Sequence, residues 1–216
     1  VPDLTIDIHT EISCPWCAIG LHRLDKVLAE RFPTLSVDIM HHPVFLMPGC
    51  PPEGVRIADI LRSKYGIADP SAAWARPQSE ARASGLDLDL SRQPFAYPTE
   101  AAHTLIRLAR SRGTQHKLAV AISHAYFLEG RNIADHVVLT EIAAKHGFEK
   151  AEVPALITDP TELEKTELEA AEGQAIGVQS VPHFIFGREL TLIGGRSEDE
   201  LATAIEQTAR NEKARA

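Results

Sequence analysis

The sequence predicts a mixed α/β fold in which a β-α-β piece and a β-β-α piece share one mixed sheet, with a large all-α block inserted between them. Three observations carry this reading. Strand-like alternation brackets a helical period up to residue 42, residues 55–176 show almost only helical periodicity, and from residue 177 the chain returns to two strands and a helix. Neither end piece can bury its strand faces alone, so the two complete each other.

Leu4, Ile6 and Ile8 alternate with Thr5, Asp7 and His9, as in a strand with one buried face. Leu21, Leu24, Val27, Leu28 and Phe32 then recur at helical spacing. Pro15 suits the first helical position, where its missing N–H has no intrahelical partner to lose. Leu35, Val37 and Ile39 begin a second strand, followed by His41 and His42, and a right-handed crossover makes the two strands parallel. The stretch from His42 to Gly54 carries four prolines and reads as a loop barred from a sheet interior. Its apolar residues Val44, Phe45, Leu46 and Met47 need cover, either beneath the loop or as the lining of a site.

In the helical block, Ile57, Ile60, Leu61 and Tyr65 make one face closed by Gly66. A weaker helix through Trp74 and Ala83, interrupted by Pro77, ends near Gly85. After a bend at 93–98, a helix over about 98–112 buries Ala102, Leu105, Ile106 and Ala109 and stops at Gly113. Leu118, Ala121, Ile122, Ala125 and Leu128 mark another, stopped by Gly130. Asp135 caps a helix through Leu139 and Ile142, and Thr161-x-x-Glu164 has capping-box spacing for an acidic helix to Ala175. Two apolar runs around Gly187-Arg188 then predict a tight hairpin, and Ser197-x-x-Glu200 caps a final helix through Leu201, Ala204 and Ile205.

The chemistry concentrates in Cys14-Pro15-Trp16-Cys17, between the first strand and the first helix. One helical turn brings two sulfurs within reach of a disulfide, which needs Cα atoms about 4.4–6.8 Å apart. At the N-cap, Cys14 faces the helix dipole and free N–H groups, which favour a thiolate. Cys17 lies inside the first turn under cover, so Cys14 attacks and Cys17 resolves. Trp16, between them, forms part of an apolar rim for substrate. A zinc knuckle would need further ligands, and only Cys50, His41 and His42 offer themselves. Adjacent strand residues such as His41 and His42 point to opposite faces, which argues against one shared ion. Cys50 reads as a free loop thiol, and His103 as a helix residue packed near Ala102. No metal and no cofactor are expected.

Ordinary hydrophobic (44%) and charged (24%) fractions over 216 residues suit a soluble domain with a sizeable core. A net charge of -8 speaks against non-specific nucleic-acid binding. No apolar run reaches the length of a membrane span, so no membrane partner is expected. From Val1 no signal peptide is read, and three cysteines with one unpaired fit a reducing compartment, so a cytoplasmic protein is expected.

Several motifs together resemble the DsbA-like oxidoreductases of the thioredoxin superfamily, FrnE type. They are Cys14-Pro15-Trp16-Cys17, Met47-Pro48-x-x-Pro51-Pro52-Glu53-Gly54, Ala101-Ala102-His103, the run from Ala125 to Gly130, and Gly177-Val178-x-x-Val181-Pro182. The resemblance implies a thioredoxin-like domain from residues 1–54 and 177–216, interrupted by a helical domain at 55–176. It also implies a cis Pro182 opposite the cysteines. Cis geometry would leave the Val181 backbone free to pair with an extended substrate, so Val181 and Pro182 join Trp16 as substrate-binding residues.

The expected activity is thiol–disulfide exchange by Cys14 and Cys17 on protein or small-thiol substrates, by a monomer or homodimer. Gly194-Gly195-Arg196 departs from the family's Gly-Ala-Gln, and His183 stands where a small or apolar residue is usual. Arg196 or His183 would add positive charge near Cys14 if either faced it. The alternative is a kappa-type glutathione transferase or 2-hydroxychromene-2-carboxylate isomerase, relatives that use a serine at this turn and give Cys17 no role.

Overall fold

In the computed structural model, which describes residues 2–215, the chain opens with β1 (Leu4–Thr10), α1 (Pro15–Arg31) and β2 (Val37–Pro43). The helical block follows as β3 (Val55–Arg56), α2 (Ile57–Tyr65), α3 (Pro70–Ala83), β4 (Phe95–Ala96), α4 (Glu100–Leu108) and α5 (Gln115–Phe127). It continues through α6 (His136–Ala143), α7 (Val153–Thr158) and α8 (Pro160–Ala175). β5 (His183–Phe186), β6 (Leu190–Ile193) and α9 (Glu198–Arg215) complete the chain.

The main sheet has the order β2-β1-β5-β6. β1 runs parallel to β2, with Ile8 opposite His41, and antiparallel to β5, with Ile8 opposite Phe184. One face of this mixed sheet carries Leu4, Ile6, Ile8, Phe184 and Phe186, which share a core with Leu21 and Leu24 of α1 and Leu201 and Ile205 of α9. The other face presents Asp7, His9 and His42 to α8, where Glu169 accepts a hydrogen bond from His42. A second core joins α4, α5 and α6 around Leu105, Leu118, Ile122, Tyr126 and Leu139, and Ile19 of α1 reaches into it. The architecture is therefore the expected thioredoxin fold with a helical insertion.

Several elements differ from their sequence reading. The second strand starts at Val37 rather than Leu35, because Leu35 donates to the Phe32 carbonyl in a turn. It extends through His41, His42 and Pro43, which the edge position of β2 tolerates because an edge strand leaves one row of donors unpaired. The insert is not wholly helical, since Val55 and Arg56 pair with Ala96 and Phe95. Pro77 lies within α3 without ending it, and α7 has no counterpart in the sequence reading. The cap of α8 is Asp159, not Thr161: its side chain accepts the Thr161 N–H, and Pro160 occupies the first turn. The capping box at α9 does form, with Ser197 N–H donating to Glu200 at 2.9 Å and Glu200 N–H returning to Ser197 Oγ at 3.2 Å. The β5–β6 turn places Gly187 and Arg188 at φ 55° and 64°, with Glu189 N–H closing onto Phe186, the geometry of a tight hairpin.

Candidate active site

β1 ends in a turn that delivers Cys14 to the N-cap of α1, with Pro15 in its first turn. Cys14 N–H donates to the Glu11 carbonyl, and the Cys14 carbonyl accepts from Cys17 and Ala18, so the turn is hydrogen-bonded on both sides. Both cysteines are free thiols, buried to 7% and 2% exposure, and they approach to 3.6 Å. The CxxC spacing places them on one turn, and the structure brings them together.

The two thiols are driven in opposite directions. A hydrogen bond from the Cys17 side chain lowers the Cys14 pKa, and the backbone N–H groups of Cys17 and Trp16 add to it against the opposing effects of burial and Glu11. The neighbouring thiol and the N–H groups of the helix end that the sequence pointed to act in the same direction. Burial raises the Cys17 pKa well above the ordinary thiol value, and the hydrogen bond to Cys14 and the Cys14 charge reinforce the rise. The arrangement favours the anion at Cys14 and the protonated form at Cys17.

Neither basic residue suggested by the sequence serves Cys14. Arg196 donates to the Ile193 carbonyl at 2.8 Å and to Glu200 at 3.0 Å. His183 is buried, which lowers its pKa, and its ring meets His9 edge-on. The Val181–Pro182 bond is cis. Pro182 packs on the second turn of α1: a Cβ on Gly20 would stand 3.1 Å from Pro182 Cγ and 3.0 Å from the Phe184 ring. Gly20 therefore permits this approach, a role that its sequence context did not reveal. Among the described residues no backbone hydrogen bond engages Val181.

Trp16 is half-buried rather than fully exposed. It lies on Gly195, stacks with the Arg76 guanidinium at 5.4 Å and packs against the helical core. With Cys14 it forms one wall of a cavity of about 380 Å³, whose other walls include Leu46 and Met47, Ile60 and Leu61 of α2, and Trp74 of α3. Leu46 and Met47 thus line the site, whereas the sequence reading favoured packing beneath the loop.

Glu11 is the residue that sequence reasoning missed. Only 1% exposed, it accepts N–H bonds from Ser13 at 3.2 Å and Leu46 at 3.1 Å and a hydroxyl bond from Thr99 at 3.2 Å. His103 Nε2 stands 3.6 Å away, so this histidine is buried against a carboxylate rather than merely packed in a helix. A charged residue three positions before Cys14, just past a strand with one apolar face, was the available signal. Behind α1, buried Arg23 donates to Ser84 Oγ, to the carbonyls of Gly195 and Arg196, and to Glu80, tying the turn before α9 to the end of α3. Cys50 donates weakly to the Ala96 carbonyl at 3.5 Å. Among the described residues, no helix is long and apolar enough to cross a membrane, and no group of His, Cys, Asp and Glu is placed to hold a metal ion.

Residues 5–206 match the family model described as a DSBA-like thioredoxin domain. The structure is similar to that of a probable DsbA oxidoreductase from Streptomyces coelicolor, with a TM-score of 0.85 and 27% identity over 97% of this chain and 91% of that one. It is also similar to a 2-hydroxychromene-2-carboxylate isomerase (TM-score 0.74, 14% identity, 98% and 99% coverage). A third similar structure is the cytosolic disulfide reductase DsbM from Pseudomonas aeruginosa (TM-score 0.66, 21% identity, 96% and 99% coverage).

Proposed function

The chain belongs to the DSBA-like thioredoxin domain family, and from that premise we propose that it is a thiol–disulfide oxidoreductase working through Cys14 and Cys17. The observation that carries the reading is the pair of free thiols 3.6 Å apart with oppositely displaced pKa values.

The Cys14 thiolate attacks one sulfur of a substrate disulfide R–S–S–R′, forming Cys14–S–S–R and expelling R′S⁻, which takes up a proton from water. The Cys17 thiol then gives up its proton and attacks the Cys14 sulfur. This forms the Cys14–Cys17 disulfide and releases RS⁻, so two electrons pass from enzyme to substrate. The reverse sequence oxidises a substrate dithiol, and the reduction potential of the partner couple sets the direction. Val181, beside cis Pro182, offers its backbone to an extended substrate, with Trp16 as the adjoining wall. Residues 1–54 and 177–216 form the redox domain in this proposal, and 55–176 the substrate-facing insert. The loop from Met47 to Gly54 supports the FrnE-type placement, and the unpaired Cys50 supports a cytoplasmic one.

Cys17→Ser tests the reading. It should trap a covalent adduct at Cys14 with a disulfide substrate, visible as added mass that dithiothreitol removes, whereas Cys14→Ser should give neither adduct nor turnover. A Cys17→Ser protein that forms no adduct contradicts the proposal. The fold shared with the 2-hydroxychromene-2-carboxylate isomerase supports a second reading, glutathione-dependent isomerisation. That activity would survive Cys17→Ser.

A further inference from the structure

Trp16 and Arg23 stand two turns apart on one face of α1, and that face meets α3. Two contacts join the helices there. The Arg76 guanidinium lies over the Trp16 ring at 5.4 Å, and one turn further along α3 the Glu80 carboxylate accepts a hydrogen bond from Arg23 at 2.7 Å. On its other side the indole rests on Gly195, whose carbonyl accepts from the same Arg23 at 3.2 Å. Both supports of Trp16 therefore lead back to one guanidinium.

Arg23 is only 4% exposed, and every N–H of its guanidinium has an acceptor. Nε donates to Ser84 Oγ at 2.6 Å, one terminal nitrogen to the Gly195 and Arg196 carbonyls, and the other to the carbonyl and carboxylate of Glu80. His22 Nε2 adds a bond to the Ser84 carbonyl at 2.9 Å. A planar fork of this kind fixes direction as well as distance. It holds α1, the end of α3 and the loop before α9 in one arrangement.

We propose that Arg23 is a positioning residue for disulfide exchange: it closes a clamp, with Gly195 and Arg76 as its jaws, that holds the Trp16 indole as a fixed wall beside the Cys14 sulfur. The proposal rests on the oxidoreductase reading and adds a residue bonded to neither thiol. In the exchange step a bond forms between Cys14 and one substrate sulfur as the substrate's own S–S bond breaks. The leaving sulfur takes the electron pair, so the three sulfurs must lie in line. A fixed wall beside Cys14 limits the directions from which a disulfide arrives, and orientation of this kind is worth orders of magnitude in rate. Iodoacetamide is small enough to find its own line of attack, so the clamp matters little to it.

The chain has two tryptophans, so Trp74→Phe leaves Trp16 as the sole emitter for fluorescence, while rates are measured in the otherwise unaltered chain. Circular dichroism verifies that each variant is folded at the assay temperature. Arg23→Met should shift Trp16 emission to the red and admit acrylamide more readily. Its exchange with oxidised glutathione, per titrated thiol, should slow roughly ten-fold, while alkylation of Cys14 by iodoacetamide slows much less. Arg23→Lys keeps the charge but cannot reach both jaws with one ammonium, so it should stay close to Arg23→Met. Glu80→Gln, at a partly exposed side chain, loosens the α3 jaw alone and should give smaller changes of the same sign, which serves if Arg23→Met does not fold. Unchanged Trp16 emission, exchange that slows no more than alkylation, or full recovery in Arg23→Lys overturns the proposal. A parent protein inert to glutathione and peptide disulfides alike would defeat the oxidoreductase reading, whereas the emission shift would still establish the clamp.

Discussion

Trp16 rests directly on Gly195: a Cβ at Gly195 would lie 2.4 Å from the indole Cε3, well inside any real contact. The loop before α9 thereby fixes the side chain that walls the cysteine pair. Gly195→Ala should push the indole off this seat and cost about 1–3 kcal/mol of stability. The loss would appear as a lower midpoint in urea together with an altered Trp16 emission. Unchanged emission would mean that the indole is not held there.

Glu11 places a buried negative charge beside both thiols, raising the pKa of Cys14 and of Cys17. Glu11→Gln keeps the shape and removes the charge, so both titration midpoints should fall while Cys14 stays the lower. The weakened hydrogen bonds to Ser13, Leu46 and Thr99 should cost about 1–3 kcal/mol. Alkylation rates against pH read the first effect and denaturant unfolding the second. Midpoints that stay put would remove Glu11 from the electrostatics of the site.

Arg23 should matter for stability through its convergent bonds behind α1. Arg23→Met leaves the carbonyls of Gly195 and Arg196 and the Ser84 hydroxyl short of a donor, at about 3 kcal/mol. The loss should appear in thermal unfolding. A variant as stable as the parent would mean that the loop is held by other contacts.

The sheet face under α8 should make stability depend on pH in two directions. His42 is partly buried, which works against its charge, but hydrogen bonds and charge from Asp7 and Glu169 carry its pKa up from 6.5 to about 9. That contribution is complete below pH 6.5 and is lost as pH rises towards 9. Burial, helped by the charges of His42 and His183, lowers the His9 pKa to about 4. Between pH 6.5 and 4 the unfolded chain then binds a proton that the folded one refuses, so stability falls with acidification. The pair favours a maximum near pH 6.5, visible in melting temperature against pH. His9→Asn should flatten the acid limb and His42→Asn the alkaline one, and slopes unchanged in both variants would refute the assignment.

Much of the fold was legible in the sequence because its signals are local. Gly66, Gly113 and Gly147 end their helices with positive φ, Ser197 and Glu200 cap α9, and Pro15 starts α1 just behind Cys14. At α8 two good capping residues stood close together, and Pro160 in the first turn settled the choice for Asp159. The surroundings of the cysteines were not legible in the same way. Glu11 is bonded by Leu46 and Thr99, Trp16 is seated by Gly195, and the cavity needs Trp74 from a helix that reads weakly. Each of these partnerships joins distant parts of the chain, and no periodicity encodes them.

The most direct test is the rate of alkylation of each cysteine in the reduced protein as a function of pH, resolved by mass spectrometry. Cys14 should titrate below an ordinary thiol and Cys17 well above it. Two cysteines titrating together at the value of an exposed thiol would contradict the account, because neither sulfur would then be singled out to attack.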